Sequence, residues 1–544
     1  MKTLNILTTG AFATLLLLGS CTKDVDNPNP QGGGGEGGVV EGIPTYATIS
    51  LSQRTGAGTY AEEPGDGGDE GEGQGKPEDD YVNGDEENSP ASDAEKKITR
   101  ASVLVFNSND ILENYVEFNA SDLAANPVAK RFATTTGQKR LYALANLPDA
   151  NRQEIKDIFN GTDGHTAADK KLSHISQIVQ KIDKIADATK DNEFWMSNVY
   201  KLGATLEDQV TVQNIQDSTA VDGGTGPNEN NFTIYIGRMV SKVTPSFADD
   251  LVVNSGDGTI DKDGATYRVR NNPTRFYTFP VYEDVQLVSP HYKPAYNLAG
   301  GIGPENEYPN KLNAVDFFCN GDATAHDADG EPEGAATFTP MKTASYLTEN
   351  SPKDATRHKV TFLSIKAKWT PDANAVFLAA DGTVADATTT LTKINGENGG
   401  TFWRVQKWEN GKITGYCAGI YADKPTGYVD GTPGVDEPAT ANLKASREEA
   451  KTSPTACYLP VEYTGGGTSY WAYWMRSRLD GTIAEKYTLK RNNHFVVNII
   501  SVDGVGDPDE DDNFDKDDNI EADTYMKAKI SVLDWNVVDI EGGI

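Results

Sequence analysis

Apolar and polar residues alternate along most of this chain, and residues 45–54, TYATISLSQR, show the pattern at its cleanest. Ala47, Ile49 and Leu51 alternate with Thr48, Ser50 and Ser52, the period of a strand with one buried face and one wet face. This strand stands alone in the sequence. Upstream lie only a short apolar segment and a Pro/Gly-rich tether, and downstream no comparable pattern resumes until about Ile98.

From there the period of two predicts strands over residues 98–106 and 115–118 around a loop at 107–110, and the apolar run LYALANL at 141–147 fits a central strand. Asp149 can cap a short helix containing Ile155 and Ile158. Leu172, Ile175, Ile178, Val179, Ile182 and Ile185 would share one face of a second, longer helix. Strand chemistry returns at 194–206 and 232–247, with a polar Gly/Asn-rich loop between them that suits a domain seam. In the second half, strands are expected at 267–269, 276–281, 344–347, 358–369, 402–405, 458–463, 470–476 and 494–500, separated by long Gly, Pro, Asn and Asp loops. The last patterned segment is TYMKAKISVLDW, where Met526, Ala528, Ile530 and Val532 alternate with Lys527, Lys529 and Ser531. The fold class these elements predict is all-β: two β-sandwiches in series, with short helices in the loops. A half-buried strand stands near each end, and each is tied to the rest through acidic or glycine-rich loops.

Composition sharpens this picture in a few places. The 544 residues leave room for more than one core, and a formal net charge of −32 argues against nucleic acid as a partner, since phosphate binding needs clustered Lys and Arg. Residues 1–21 read as a bacterial lipoprotein signal: Lys2 gives the positive start, a short apolar region follows, and LGSC ends the segment at Cys21, the lipidation candidate. Residues 22–54 then hold a linker and the first strand. Lipid on Cys21 would tie a precursor to the outer membrane. Arg54 closes the strand and is followed by Thr55, Gly56, Ala57 and Gly58, a run too small and mobile to resist a trypsin-like protease. The segments at 61–95 and 503–518 are acidic and read as hydrated loops.

Candidate chemistry is sparse. Cys319, Cys417 and Cys457 are far from any CxxC spacing; a Cys417–Cys457 disulfide and three buried free thiols are both open. The six histidines form no metal-binding pair, and no nucleophile elbow, phosphate loop or zinc signature is present, so no catalytic residue, metal or cofactor is expected. Asp509, Asp511 and Asn513 alternate as in a calcium loop, but Phe514 stands where such a loop needs glycine and Ile520 where it needs glutamate. Tyr470, Trp471, Tyr473 and Trp474, with Trp403 and Trp408, read as core or subunit contact, or else as a surface for stacking sugars.

Several segments together resemble the Bacteroidales fimbrillins, nearest to the shaft subunit of the short, or minor, fimbriae: the lipobox cysteine, the strand ending in arginine, GQKRLYALANL, FWMSNVYKL, IGRMVSKVTPSF, SYLTENSPKDATRHKVTFLSIKAKW, RNNHFVVNI and the terminal strand ending at Trp535. The resemblance implies two transthyretin-like β-sandwich domains, here residues 55–228 and 229–544. It implies export as a lipoprotein precursor and cleavage between Arg54 and Thr55 by an Arg-specific protease. Loss of Ala47, Ile49 and Leu51 with the released strand then opens a groove for the C-terminal strand of another subunit, residues 524–535, with Met526, Ala528, Ile530, Val532 and Trp535 as donor positions. The implied product is a type V pilus, a homopolymer with tip and anchor subunits as partners and a role in adhesion and biofilm formation. A different class of protein would also fit the aromatic residues: a lipid-anchored, monomeric glycan binder stacking sugars on Trp471, Trp474 or Trp403.

Overall fold

The structure, a computed structural model, describes residues 41–53, 80–83, 92–175, 179–181, 189, 193–198, 209–213, 230–270, 272, 275–277, 338–348, 360–476, 486–487, 489, 491–510 and 526–534. With strands numbered in chain order, the first sheet comprises β1 (Pro44–Gln53), β3 (Ala101–Asn107), β4 (Leu112–Phe118), β5 (Val128–Thr135), β6 (Gly137–Ala145), β8 (Met196–Asn198), β9 (Gln209–Val212) and β10 (Asn231–Arg238). Their order is β4-β3-β6-β8-β10-β1-β5, with β9 pairing β6. The sheet curls until its two outer strands approach each other: Asn114 Nδ2 on β4 donates to Ala133 O on β5 at 2.6 Å. Enclosed within lie Val103, Val105, Leu141, Ala143, Ile234 and Ile236 with the apolar face of β1.

Short helices cover this core: α1 (Asp93–Lys96), α2 (Ala120–Ala124), α3 (Asp149–Asn160) and α4 (Leu172–Ile175). α3 buries Ile155 and Ile158 as its periodicity predicts, but Asp149 is not its cap. That carboxylate lies in the first turn and pairs with Arg152 at 2.7 Å, while Pro148 holds the cap position without a side-chain bond. Among the described residues the longer helix expected through residue 185 does not continue: α4 ends at Ile175, and β7 (Val179–Lys181) pairs with β14 (Arg275–Tyr277). Val179 is β-branched and favours an extended backbone once a partner strand is available; Ile178, Ile182 and Ile185 lie outside the described residues.

A second core lies between two further sheets. One is built from β2 (Asp80–Asn83), β11 (Val240–Val253), β16 (Ser345–Thr348), β24 (Asn493–Val502) and β25 (Met526–Asp534), in the order β16-β11-β24-β25-β2. The other contains β12 (Gly258–Ile260), β13 (Thr266–Arg270), β15 (Thr339–Pro340), β17 (Phe362–Pro371) and β23 (Thr468–Trp474). Val243, Phe495, Val497 and Ile499 from the first pack with Tyr267, Leu363, Ile365 and Tyr473 from the second, the two-layer arrangement of a sandwich. A further sheet of β18 (Phe377–Leu378), β19 (Phe402–Glu409), β20 (Lys412–Tyr416), β21 (Ile420–Tyr421) and β22 (Cys457–Tyr463) extends this half. The chain is therefore all-β, as its alternation predicts. Cys417 and Cys457 are free, buried thiols in separate apolar clusters, and burial pushes the Cys417 thiol up to about 12.

Candidate functional site

The first strand occupies an interior position of the curled sheet. β1 runs antiparallel to β5, from Pro44 opposite Thr135 to Leu51 opposite Val128, and parallel to β10, from Thr48 beside Asn231 to Gln53 beside Ile236. Its alternation does what the sequence predicts on one side: Ala47 and Ile49 are fully buried and Leu51 is 6 % exposed. The other side is less wet than expected. Thr48 is buried because Arg131 lies across it, with Nη1 3.4 Å from Thr48 Oγ1 and the guanidinium 5.6 Å from the Tyr46 ring.

The start of the strand is fastened by two backbone bonds and one side-chain bond. Gly42 N donates to Thr136 O at 3.0 Å and Thr136 N to Ile43 O at 2.8 Å, and the Asn230 side chain donates through Nδ2 to Tyr46 O at 3.1 Å. Gly137 meets this entry at φ +117, and a Cβ there would stand 2.9 Å from Glu41 Cγ, so the close approach requires glycine. Burying Ile49 and Leu51 stabilises the fold by roughly 1.5 to 3 kcal/mol each as an upper bound. Removing β1 would also strip ladder partners from both β5 and β10, leaving two edges facing an apolar slot.

β25, at the other end, pairs antiparallel with β24 from Asn493 opposite Asp534 to Val502 opposite Met526. Met526 and Ala528 are fully buried in the second core. Ile530 stands opposite Val497 and Val532 opposite Phe495 in backbone register. The outer edge of β25 is taken by β2, in parallel, with Tyr81 beside Ile530. Thus the segment after Arg54 that reads as a purely irregular acidic loop contributes a strand at 80–83 and, at its end, a capped helical turn.

That turn centres on Glu95. Ser92 N donates to Glu95 Oε2 at 2.7 Å, while Tyr346 Oη and Lys242 Nζ reach Oε1 at 2.8 and 3.2 Å. Burial alone would raise the Glu95 carboxyl, yet these donors hold it below the ordinary carboxylate range. Arg238 Nε donates to the Glu95 carbonyl at 2.9 Å, and Arg238 N donates to Asn492 Oδ1 at 3.0 Å. The segment following β2 is thereby pinned to the start of β11 and to β16.

The acidic loop before β25 is also held, contrary to a self-repelling linker, over its described residues 503–510. Tyr416 Oη donates to Asp507 Oδ1 at 2.6 Å, and Glu510 pairs with Arg268 and, at 3.0 Å, with Arg270. The arginines outweigh the burial of Glu510 and lower its carboxyl. Arg268 and Arg270 sit two apart on β13 and so share one face, which is why one glutamate meets both.

Cys21, Arg54, Thr55 and Trp535 lie outside the described residues, and only the backbone of Ile530 and Val532 is described. Of the aromatic residues, Trp471, Trp474 and Trp408 are each 3 % exposed and Tyr473 is fully buried, so they make core rather than an open stacking platform. Sequence reasoning missed β5, Glu95 and Glu510. Glu95 had a local signal, the Ser-x-x-Glu capping box at Ser92; Glu510 had none, since its partners are about 240 positions away in the chain.

The fold is a β-sandwich one in which β1 and β25 are each built into a different sheet. Family models match two parts of the chain: residues 79–238 match the major fimbrial subunit protein (FimA), and residues 462–541 match the C-terminal part of the major fimbrial subunit protein type IV, fimbrillin. On these two segments the chain is similar to the fimbrillins. Among solved structures it is similar to a fimbrilin from Porphyromonas gingivalis W83, at 12 % identity and TM-score 0.37 over 91 % of this chain and 98 % of that one. A protein from Parabacteroides distasonis provisionally described as a cell adhesion protein gives 10 % identity and TM-score 0.41 over 91 % and 100 %. The tip fimbrial protein Mfa3 from Porphyromonas gingivalis gives 13 % and 0.31 over 82 % and 98 %. No curated protein sequence matches the chain.

Proposed function

We propose that this chain is the shaft subunit of a cell-surface fimbria, a structural rather than catalytic protein. It is exported as a lipoprotein precursor acylated at Cys21, cleaved between Arg54 and Thr55 by an Arg-specific protease, and polymerised when the C-terminal strand of one subunit fills the slot vacated by β1 in the next. Self is then its main partner, with tip and anchor subunits at the ends of the filament and adhesion and biofilm formation as the outcome. The observation that carries the reading is the position of β1. β1 is buried on one face and laddered on both edges, so after cleavage behind Arg54 only these non-covalent contacts would hold it to the residues that follow. Its loss creates an apolar, hydrogen-bonding slot that a second chain can fill by strand addition. We place the seam between two transthyretin-like domains at the β10–β11 turn rather than at 228/229, because β10 pairs with β1 in the first sheet.

Mass spectrometry of the surface material tests this. Polymer subunits beginning at Thr55 support the reading, whereas a monomer that keeps β1 and an acylated Cys21 overturns it.

A further inference from the structure

The second half of the molecule holds a cavity of about 390 Å³ whose lining includes no residue of β1 or β25. Its floor is the outer face of β17 and β23, where Phe362 stands opposite Trp474 and Ser364 opposite Ala472, with Tyr470 at its edge. Arg404, Gly415 and Tyr416 from β19 and β20 form the facing wall, and residues 503–507 with Glu510 form the rim. The volume falls within the range of small-molecule sites.

The rim is fixed before any ligand arrives. Asp507 and Tyr470 exchange two backbone bonds, each 2.8 Å, Trp471 Nε1 donates to Gly504 O at 3.2 Å, and Tyr463 Oη donates to Gly506 O at 2.8 Å. A Cβ at Gly506 would stand 2.2 Å from Tyr470 O, so this seating of the rim on β23 depends on glycine. Asp503 is oriented by Asn254 Nδ2 at 2.7 Å, and the Arg404 guanidinium lies 4.4 Å from the Tyr416 ring.

We propose that this cavity binds a neutral saccharide unit, a mono- or disaccharide or the end of a glycan. Charge decides the class. Four carboxylates line the cavity, Asp257, Asp503, Asp507 and Glu510, which disfavours an anion. Arg404 faces them across the cavity, and Glu510 is already neutralised by Arg268 and Arg270, which disfavours a simple cation. Hydroxyl groups both donate and accept, so a sugar can donate to Asp503 and Asp507 while accepting from Arg404. Its C–H face can lie on the partly exposed ring of Tyr470, while the Tyr416 ring is already covered by Arg404. The buried tryptophans, which make no open platform, form the back of the cavity instead. The inference is independent of the assembly reading.

The purified full chain, titrated with mannose, galactose, N-acetylglucosamine and maltose by saturation-transfer NMR and calorimetry, tests it, with tetramethylammonium as the cationic probe. At least one saccharide binds, Tyr470→Phe keeps that binding, and Tyr470→Ala and Asp503→Asn each weaken it by about tenfold or more, with thermal melts confirming that the variants fold. If no saccharide binds, or binding survives both Tyr470→Ala and Asp503→Asn, the proposal is overturned. Binding of tetramethylammonium alone, lost in Tyr470→Ala, overturns the saccharide class in favour of an aromatic cage for cations. Filament assembly by the same variants is scored separately, so a failure here leaves the fimbrial reading standing and the reverse also holds.

Discussion

Leu51 of β1 and Ile234 of β10 stand side by side in parallel register, both buried in the first core. In a sheet whose other pairings are antiparallel among the described strands, this contact joins the start of the chain to a strand more than 180 positions later. β1 thus joins β5 to β10 in this sheet.

The first prediction uses that position. Ile49 has no exposed surface, so Ile49→Asp places a charge in the core and should destabilise the precursor by about 3 kcal/mol or more. The mature polymer lacks β1 on our reading, and any filaments that form should resist heat and denaturant as the unaltered ones do. Denaturation of purified precursor and of surface filaments checks both halves. A matching loss of stability in the filaments would mean that β1 stays in the mature subunit.

Arg54→Ala should leave a folded precursor at the cell surface that does not polymerise, because the slot between β5 and β10 remains filled. Arg54→Lys should behave the same way if the protease reads arginine specifically. Electron microscopy and mass spectrometry of the surface protein give the result. Filaments made of uncleaved Arg54→Ala subunits would refute release of β1 as the trigger.

Acid should weaken the second core through His494. Burial, together with the Lys242 charge, pushes this imidazole down to about 4, with Glu95 pulling the other way; Thr244 Oγ1 lies 2.8 Å from its Nε2. The unfolded chain takes up the same proton near pH ~6.5. Between these values the unfolded state binds more protons, so stability is complete above the unfolded value and falls as the pH drops toward the folded one, by on the order of 3 kcal/mol in all. Glu95 and Glu510, both held below the ordinary carboxylate range, add to the loss at lower pH. His494→Gln should flatten the upper part of this profile in urea titrations at stepped pH. An unchanged slope in His494→Gln would show that another group carries it.

How far the sequence reaches is visible in particular strands. β1, β13, β16, β22, β24 and β25 are legible because each alternates, or is continuously apolar, within its own residues. β5 is not: Lys130 and Arg131 interrupt its centre, and it becomes a strand by pairing with β1 and covering the edge of the curl. The helix expected beyond Ile175 fails for the complementary reason, since Val179 finds a strand partner in Tyr277 that no local pattern announces. At the candidate site, the alternation of β1 and β25 is local and readable. The clamps on either side, Glu95 with Lys242 and Tyr346, and Glu510 with Arg268 and Arg270, depend on groups brought together only by the fold.

The remaining prediction concerns what replaces β1. The vacated slot presents the unpaired edges of β5 and β10 and the apolar face that Ala47, Ile49 and Leu51 had filled, so it calls for a strand with small or branched apolar residues at a spacing of two. Met526, Ala528, Ile530 and Val532 have that spacing. In the single chain β25 rests between β24 and β2, with Met526 and Ala528 buried in its own second core, so exchange trades one set of buried contacts for another. Because the contact is heterologous, repeating it builds a filament rather than a closed ring. Ile530→Asp with Val532→Asp should give a cleaved subunit that can end a filament but not extend one. These positions also stand opposite Val497 and Phe495 in backbone register within the subunit's own sheet, so a second measurement separates exchange from pairing at home. Ile530→Cys combined with single cysteines over residues 231–236, the part of β10 that β1 leaves bare, should form a disulfide between subunits at one position in filaments and none in the uncleaved precursor. Filaments of normal length from the double aspartate protein, or no crosslink anywhere in that series, would place the donor strand elsewhere in the chain.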